Sequence, residues 1–135
     1  MIVGLAHVNV LVPSESLADA EAFYGTTLGL TPAPVPHLQK GKILWFNIGT
    51  SGQQVHVAPG INESQSSSRH PCFKLESQEK LLELQQRIWE HHERGGVAAP
   101  LAADKPGENS GTKGVEYPSR FFARDFAGNR LEFSL

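Results

Sequence analysis

Four side chains that commonly bind transition metals occupy matching positions in two halves of the sequence. His7 lies in the first alternating segment of one half and His70 opens the first alternating segment of the other, while His56 and Glu132 lie in the last alternating segment of each half. Imidazole nitrogens and a carboxylate oxygen suit a divalent Zn, Ni, Fe, Co or Mn ion. A lone strand histidine is more often a hydrogen-bonded polar residue, so it is the matching positions that favour a metal site. The sequence therefore predicts one divalent metal ion with four candidate ligands: His7, His56, His70 and Glu132.

The first half of the chain predicts a strand, a helix and two further strands. Residues 5–12 alternate, so that His7 and Asn9 share a polar face opposite a run of valines. Apolar residues at helical spacing follow over residues 17–28, with Ser14 or Ser16 as the expected cap. Strands are expected at residues 42–48 and 53–58, joined by a Gly-Thr-Ser-Gly turn.

The same order recurs after a polar segment, which indicates an internal duplication. Residues 70–76 alternate again, and Ser77 is expected to cap a helix that ends before Gly95-Gly96. A loop over 100–118, long enough for a lid or an insertion, precedes strands at 120–124 and 130–135. The predicted organisation is one domain, 1–135, with module one at about 1–60, a linker at 61–68 and module two at about 69–135.

Composition excludes several classes of partner. The chain of 135 residues has 12 Lys+Arg against 14 Asp+Glu, a net charge of −2, so a nucleic acid is not expected. No run of about 20 apolar residues is present, so no membrane span is expected. The single cysteine, Cys72, allows no intramolecular disulfide, and with no signal peptide the expected location is cytoplasmic. Cys72 is interpreted as a small buried residue rather than a nucleophile.

Several stretches resemble one known superfamily over essentially the whole chain. They are LAHVNVLVP with the following ADAEAFYGTTLGL, then VHVAPG, RHPCFKLE and FFARDFAGNRLEF. The last stretch matches a closing pattern of aromatic-x-Arg-Asp-x-x-Gly-Asn-x-x-Glu. With these motifs the sequence resembles the vicinal oxygen chelate superfamily, which includes glyoxalase I, bleomycin-resistance proteins, fosfomycin thiol transferases and extradiol dioxygenases.

The resemblance implies an α+β fold of two tandem βαβββ modules that form a cup-shaped mixed sheet around one divalent metal. It maps the first-strand, fifth-strand and eighth-strand ligands onto His7, His70 and Glu132. His56 takes the fourth-strand position, where glyoxalase I usually has Glu or Gln, so it is either a ligand or an acid/base beside the metal. The turn reads Phe126-Ala127 where the family usually has Pro-Asp. A homodimer is expected, because similar short members form one.

Three functions are compatible with these residues. The leading hypothesis is a glyoxalase-like isomerase or lyase, whose small substrate chelates the metal through vicinal oxygens and passes through an enediolate-like intermediate, with Glu132 and His56 as catalytic proton-transfer groups. The second is a non-haem Fe(II) extradiol-type dioxygenase that uses His7, His70 and Glu132. The third is a metal-free protein that sequesters a drug-like molecule, which the four retained ligands argue against.

Overall fold

The computed structural model describes residues 1–111 and 117–135, so part of the predicted 100–118 loop lies outside the described residues. The chain divides into two compact units, Met1–Asn62 and Glu63–Leu135, called here the N-terminal and C-terminal units. Each has its own four-stranded sheet. The expectation that both modules form a single domain stays a prediction. No helix in the described ranges has the length and apolar character needed to cross a membrane.

The N-terminal unit contains four strands and one helical segment that changes its winding. Its elements are β1 (His7–Val12), α1 (Leu17–Ala20), a π-helical continuation (Glu21–Thr27), β2 (Thr31–Ala33), a 3-10 turn (His37–Gln39), β3 (Leu44–Asn47) and β4 (Gln54–Pro59). The sheet order is β1-β4-β3-β2, with β1 parallel to β4 and the other pairs antiparallel. Strand β2 lies in the Pro-rich stretch, where no strand was predicted.

The C-terminal unit repeats this plan with a longer helix. Its elements are β5 (Cys72–Lys74), α2 (Gln78–Arg94), β6 (Ala102–Ala103), β7 (Arg120–Arg124) and β8 (Arg130–Ser134). The sheet order is β5-β8-β7-β6, again with only the first pair parallel. Strand β5 is shorter than predicted, so His70 precedes the strand rather than opening it.

The register of the two parallel pairs confirms the predicted duplication. Asn9 lies opposite His56 in one unit, and Cys72 lies opposite Glu132 in the other. Because Asn9 follows His7 by two residues and Cys72 follows His70 by two, the four candidate ligands occupy equivalent places in the two sheets. The α+β fold and the two modules predicted from the sequence are confirmed.

Each sheet packs one apolar face against its own helix, as strand alternation predicts. Buried side chains of the N-terminal unit include Val10, Val12, Phe23, Tyr24, Phe46, Val55 and Val57. Those of the C-terminal unit include Leu81, Leu84, Ile88, Phe121, Leu131 and Phe133. The opposite face of each sheet carries the polar residues, including all the candidate ligands that lie on strands.

The helix ends follow the sequence signals unequally. Ser77 caps α2 as predicted, accepting a hydrogen bond from the Lys80 backbone N–H at 3.2 Å, and Gly95 ends the helix with a φ of 72°. Ser16 precedes α1, but its hydroxyl donates to the Pro13 carbonyl at 2.7 Å instead of capping. Near the C-terminal end of α2, His91 is buried.

Candidate functional site

In the C-terminal unit two of the candidate ligands are in direct contact. Nε2 of His70 lies 2.7 Å from Oε2 of Glu132. Glu132 is held on β8, opposite Cys72 of β5, and His70 reaches the same face because it lies two residues before Cys72. The side chains are 24% and 13% exposed, so the pair is partly shielded from water but open to a ligand.

The surroundings of His70 determine where its protons are. Its Nδ1 contacts the backbone carbonyl oxygen of Ser68, which only accepts hydrogen bonds, so Nδ1 must carry a hydrogen. Nε2 faces the carboxylate oxygen at a distance that a shared hydrogen explains, and that two ligands of one metal ion also show. When a histidine binds a metal through one ring nitrogen, the other ring nitrogen usually donates its hydrogen to a group such as a backbone carbonyl.

Arg120 completes the polar contacts of Glu132. Its Nη1 donates to Oε1 of Glu132 at 3.3 Å, across the β7–β8 pair. The ring of Phe122, on the same face, packs edge-on to His70 with centroids 5.5 Å apart. Sequence reasoning did not select Arg120 or Phe122, although strand alternation puts both on the face of Glu132.

In the N-terminal unit the equivalent face carries a stack of three rings. His56 of β4 stacks on His7 of β1, with centroids 4.0 Å apart and planes 10° from parallel. Trp45 of β3 stacks on His56 at 4.3 Å and 3°. Since β4 lies between β1 and β3, His56 is the middle ring. Phe46, the next residue on β3, is buried in the core, so neighbouring residues of this strand take opposite faces.

Hydrogen bonds along the sheet orient His56. Gln54 Nε2 donates to Oδ1 of Asn47 at 2.9 Å, which turns Gln54 Oε1 toward Nε2 of His56, also at 2.9 Å. With this amide orientation the His56 proton is on Nε2 and Nδ1 keeps its lone pair. Burial, and secondarily the nearby charge of His7, lower the pKa of His56. The ring is therefore neutral at pH 7 and able to accept a proton.

The stack limits how His7 and His56 can act together. A histidine binds a metal through a lone pair in its ring plane, at about 2.0–2.1 Å. Two nearly parallel rings with centroids 4.0 Å apart have separate planes, and a single ion cannot lie in both. In this arrangement only one of the two rings can serve a given metal ion. The stack does not decide which of the two rings this is, so whether His56 is a ligand or an acid/base stays a prediction.

The four predicted ligands are thus brought together as two pairs, one in each unit. Within either unit, the described residues contain no group of three potential ligands. The four-residue metal site stays a prediction. The donor chemistry of the pair formed by His70 and Glu132 fits a divalent metal.

The interpretation of Cys72 as a small buried residue is wrong. Cys72 is exposed on the polar face of β5, with Sγ 3.3 Å from Oγ of Ser134.

Arg124 and Asp125 hold the turn before β8. Arg124 donates to the Gly128 carbonyl at 3.0 Å, and buried Asp125 accepts from the Ala127 and Asn129 backbone N–H groups at 2.9 Å each.

Solved structures share this fold over nearly the full chain. A Bacillus anthracis protein assigned to the glyoxalase family is 28% identical with a TM-score of 0.68, and the match covers 98% of this chain and 94% of that one. The chain has the vicinal oxygen chelate fold. The resemblance inferred from the sequence is therefore confirmed. No protein-family model and no curated protein sequence matches the chain.

Other vicinal oxygen chelate structures carry different functional names. The fosfomycin resistance protein FosX from Listeria monocytogenes is 19% identical with a TM-score of 0.69, covering 99% of this chain and 91% of that one. A glyoxalase/dioxygenase from Nostoc punctiforme is 17% identical with a TM-score of 0.66, covering 96% and 88%. FosX has been solved with Mn(II) and sulfate, and a variant with Mn(II) and 1S,2S-dihydroxypropylphosphonic acid. Divalent metals are therefore used by proteins of this fold.

Proposed function

We propose that the protein is a metal-dependent enzyme of the glyoxalase type. Its substrate is a small molecule that chelates the metal through vicinal oxygens, and the reaction is an isomerisation or lyase step driven by proton transfer. The observation that carries the proposal is the contact of His70 Nε2 with Glu132 Oε2 at 2.7 Å, which brings together two side chains of the types that bind divalent metals.

The proposed metal ligands are His7, His70 and Glu132. Two imidazoles and one carboxylate suit Zn, Ni, Fe, Co or Mn, and the Mn(II) bound by FosX supports this range. When bound, such an ion supplies Lewis-acid stabilisation of negative charge on the substrate's oxygens. Arg120 orients the carboxylate of Glu132 by donating a hydrogen bond to Oε1, the oxygen that does not contact His70.

His56 is the proposed proton-transfer group, together with Glu132. Its neutral ring has an available lone pair on Nδ1, because Gln54 occupies Nε2. The flanking rings of His7 and Trp45 hold its plane fixed, so the base is preoriented before substrate binds. Gln54 and Asn47 act as positioning residues that select the tautomer.

The test is elemental analysis by ICP mass spectrometry of protein purified without chelator or added metal. We expect near-stoichiometric metal in the wild type and in His56→Gln, and an empty site in Glu132→Gln, His70→Ala and His7→Ala. The matched control is Glu83→Gln, which neutralises an exposed helix carboxylate bonded to Lys80. Full metal content in the Glu132 or His70 variant would contradict the proposal. A wild type that refuses added metal would favour the metal-free binding protein instead.

The stacking of His56 also supports a second candidate, an extradiol-type dioxygenase. If His56 stays in its stack, the metal has two histidines and one carboxylate, which leaves positions open for substrate and O₂. Iron or manganese in the purified protein, with oxygen uptake on catechol-type substrates, would favour this reaction. Zinc, nickel or cobalt, with turnover of α-ketoaldehyde–thiol adducts, would favour the isomerase or lyase.

The expected homodimer and cytoplasmic location stay predictions. Light scattering of the purified chain tests the first, with a mass of twice 14.7 kDa as the expected result. A monomeric mass that persists after metal loading would contradict it.

A further inference from the structure

A cavity of about 270 Å³ lies on the polar face of the C-terminal sheet. Its apolar wall is the ring of Phe122 with three alanines, and its polar groups come from Asp104, Ser110, Arg124 and Arg130. The volume lies slightly below the range of about 300–1,000 Å³ typical of drug-sized ligands, so it suits one small chemical group. Two of its three charged residues are arginines.

The two arginines are directly opposed in the sheet. Arg124 of β7 and Arg130 of β8 are register partners, an arrangement in which like charges repel. Burial, and secondarily the charge of Arg130, lower the pKa of Arg124. The hydrogen bonds of Arg124 go to two neutral carbonyl oxygens, of Gly128 and Ser67, and neither neutralises its charge.

Arg130 has unused donors. Its guanidinium lies over the ring of Phe122, 4.4 Å from the ring centroid, a cation–π contact that leaves its charge without a counter-ion. Across the described ranges, the structure gives Arg130 no hydrogen bond and no ion pair. A cation positioned by an aromatic ring and opposed by a second cation is complementary to an anion.

In the part of the chain that the structure describes, the acidic group of the cavity, Asp104, forms no hydrogen bond or ion pair with Arg130. Oδ2 of Asp104 accepts from the Phe122 backbone N–H at 2.8 Å and from the Ser110 backbone N–H at 2.9 Å. The buried amide of Gln85 holds the same loop by donating to the Asp104, Lys105 and Glu108 carbonyls at 3.1–3.3 Å. The wall beside Arg130 is therefore fixed before any ligand arrives.

We propose that this cavity binds a small oxyanion, a carboxylate or a phosphate group, through the guanidinium of Arg130. Its wall Phe122 also packs on His70, and the cavity shares the sheet face of Glu132. The oxyanion then belongs to the substrate, and this second step rests on the proposed function. The anion site itself does not depend on the metal.

The experiment is calorimetric titration of the full chain, freed of metal by chelation and dialysis, with inorganic phosphate and separately with acetate. Chloride holds the ionic strength constant. We expect saturable binding of at least one anion, weakened at least tenfold by Arg130→Gln and less by Arg130→Lys, as loss of a charged hydrogen bond implies. The matched control is Lys74→Gln, which removes the same charge from β5 on the same face and lies outside the cavity.

NMR mapping of the anion site on the wild-type protein tests the proposal without any variant, so it applies even if a variant fails to fold. In the wild type, the anion should shift the amide signals of Ala103, Ser110 and Phe122. Tighter phosphate than acetate would indicate a phosphorylated ligand, and the reverse a carboxylic acid. Absence of saturable binding, or an equal loss in Lys74→Gln, would overturn the proposal. If the protein binds the anion but no metal, the proposed function is contradicted and the anion site stands. If it binds metal but no anion, the anion site is contradicted and the proposed function stands.

Discussion

The two units share strand order and register, but equivalent faces of their sheets carry different types of side chain. The N-terminal face holds three stacked rings, of His7, His56 and Trp45. The C-terminal face holds charged groups, in which Glu132 contacts both His70 and Arg120. A duplicated fold therefore fixes where the matching positions lie, while the residue at each position decides whether a face presents aromatic rings or charges.

The turns that lead into the last strand of each unit differ in the same way. In the C-terminal unit, fully buried Asp125 accepts from the Ala127 and Asn129 backbone and from Nδ2 of Asn129. In the N-terminal unit, exposed Ser51 accepts one bond from the Gln53 N–H at 3.1 Å and donates one to the Ile48 carbonyl at 2.7 Å. Only the first turn depends on a buried charge.

The largest expected effect is on that turn. Asp125→Ala should lower the free energy of unfolding by about 3 kcal/mol, because it leaves several buried donors without an acceptor. Ser51→Ala should cost about 0.5–1 kcal/mol, because water can replace an exposed hydroxyl. Urea denaturation of both variants measures the difference. Equal losses in the free energy of unfolding would contradict the expectation that the Asp125 turn contributes more to stability.

The next effect separates the two faces by function. His56→Gln should lower kcat about 100-fold, the usual contribution of a general base, while metal content stays at the wild-type level. The assay uses α-ketoaldehyde–thiol adducts with metal analysed in the same samples. Glu132→Gln is the comparison, since it should lose metal and activity together. Loss of metal in His56→Gln would indicate that His56 is a metal ligand.

A smaller effect is expected in the pH dependence of stability. Burial lowers the pKa of both His56 and His91 in the folded protein below the ordinary value of 6.5. The unfolded chain therefore binds more protons just below pH 6.5, and the free energy of unfolding should fall as the pH falls through that value. Thermal melts of the metal-free protein between pH 5 and 8 measure this. His56→Gln and His91→Gln should each reduce the loss of stability as the pH falls below 6.5. An unchanged pH dependence of the melting temperature in either variant would show that the histidine does not contribute.

The smallest effect concerns the helices, which also differ between the units. Helix α2 is regular over 17 residues, whereas α1 covers four and continues as a π-helix that contains Gly25. A Cβ at Gly25 would lie 3.5 Å from Cε1 of Phe46, an ordinary contact. Gly25→Ala should therefore raise stability by about 0.5–1 kcal/mol. Gly52→Ala is the control and should lower it, because Gly52 has a φ of +77°. A loss in both variants would mean that the π-helical turn requires glycine.

Most strands were predictable, and the exceptions have physical reasons. Alternation located β1, β4, β7 and β8 to within two residues, because the face a side chain takes is a local property of an extended chain. Strands β2 and β6 have three and two residues, too few for a pattern, and exist only because β3 and β7 pair with them. The burial of His91 and the exposure of Cys72 likewise depend on which elements pack nearby.

The sequence by itself determined the duplicated fold and the residue types at its four matching positions, because periodicity and turn chemistry are encoded locally. Only the tertiary structure decided what those residues do to one another. The stacking of His56 between His7 and Trp45 needs three strands in register. Among the described residues Arg130 has no ion-pair partner, and this depends on which side chains the folded sheet and its loops place around it.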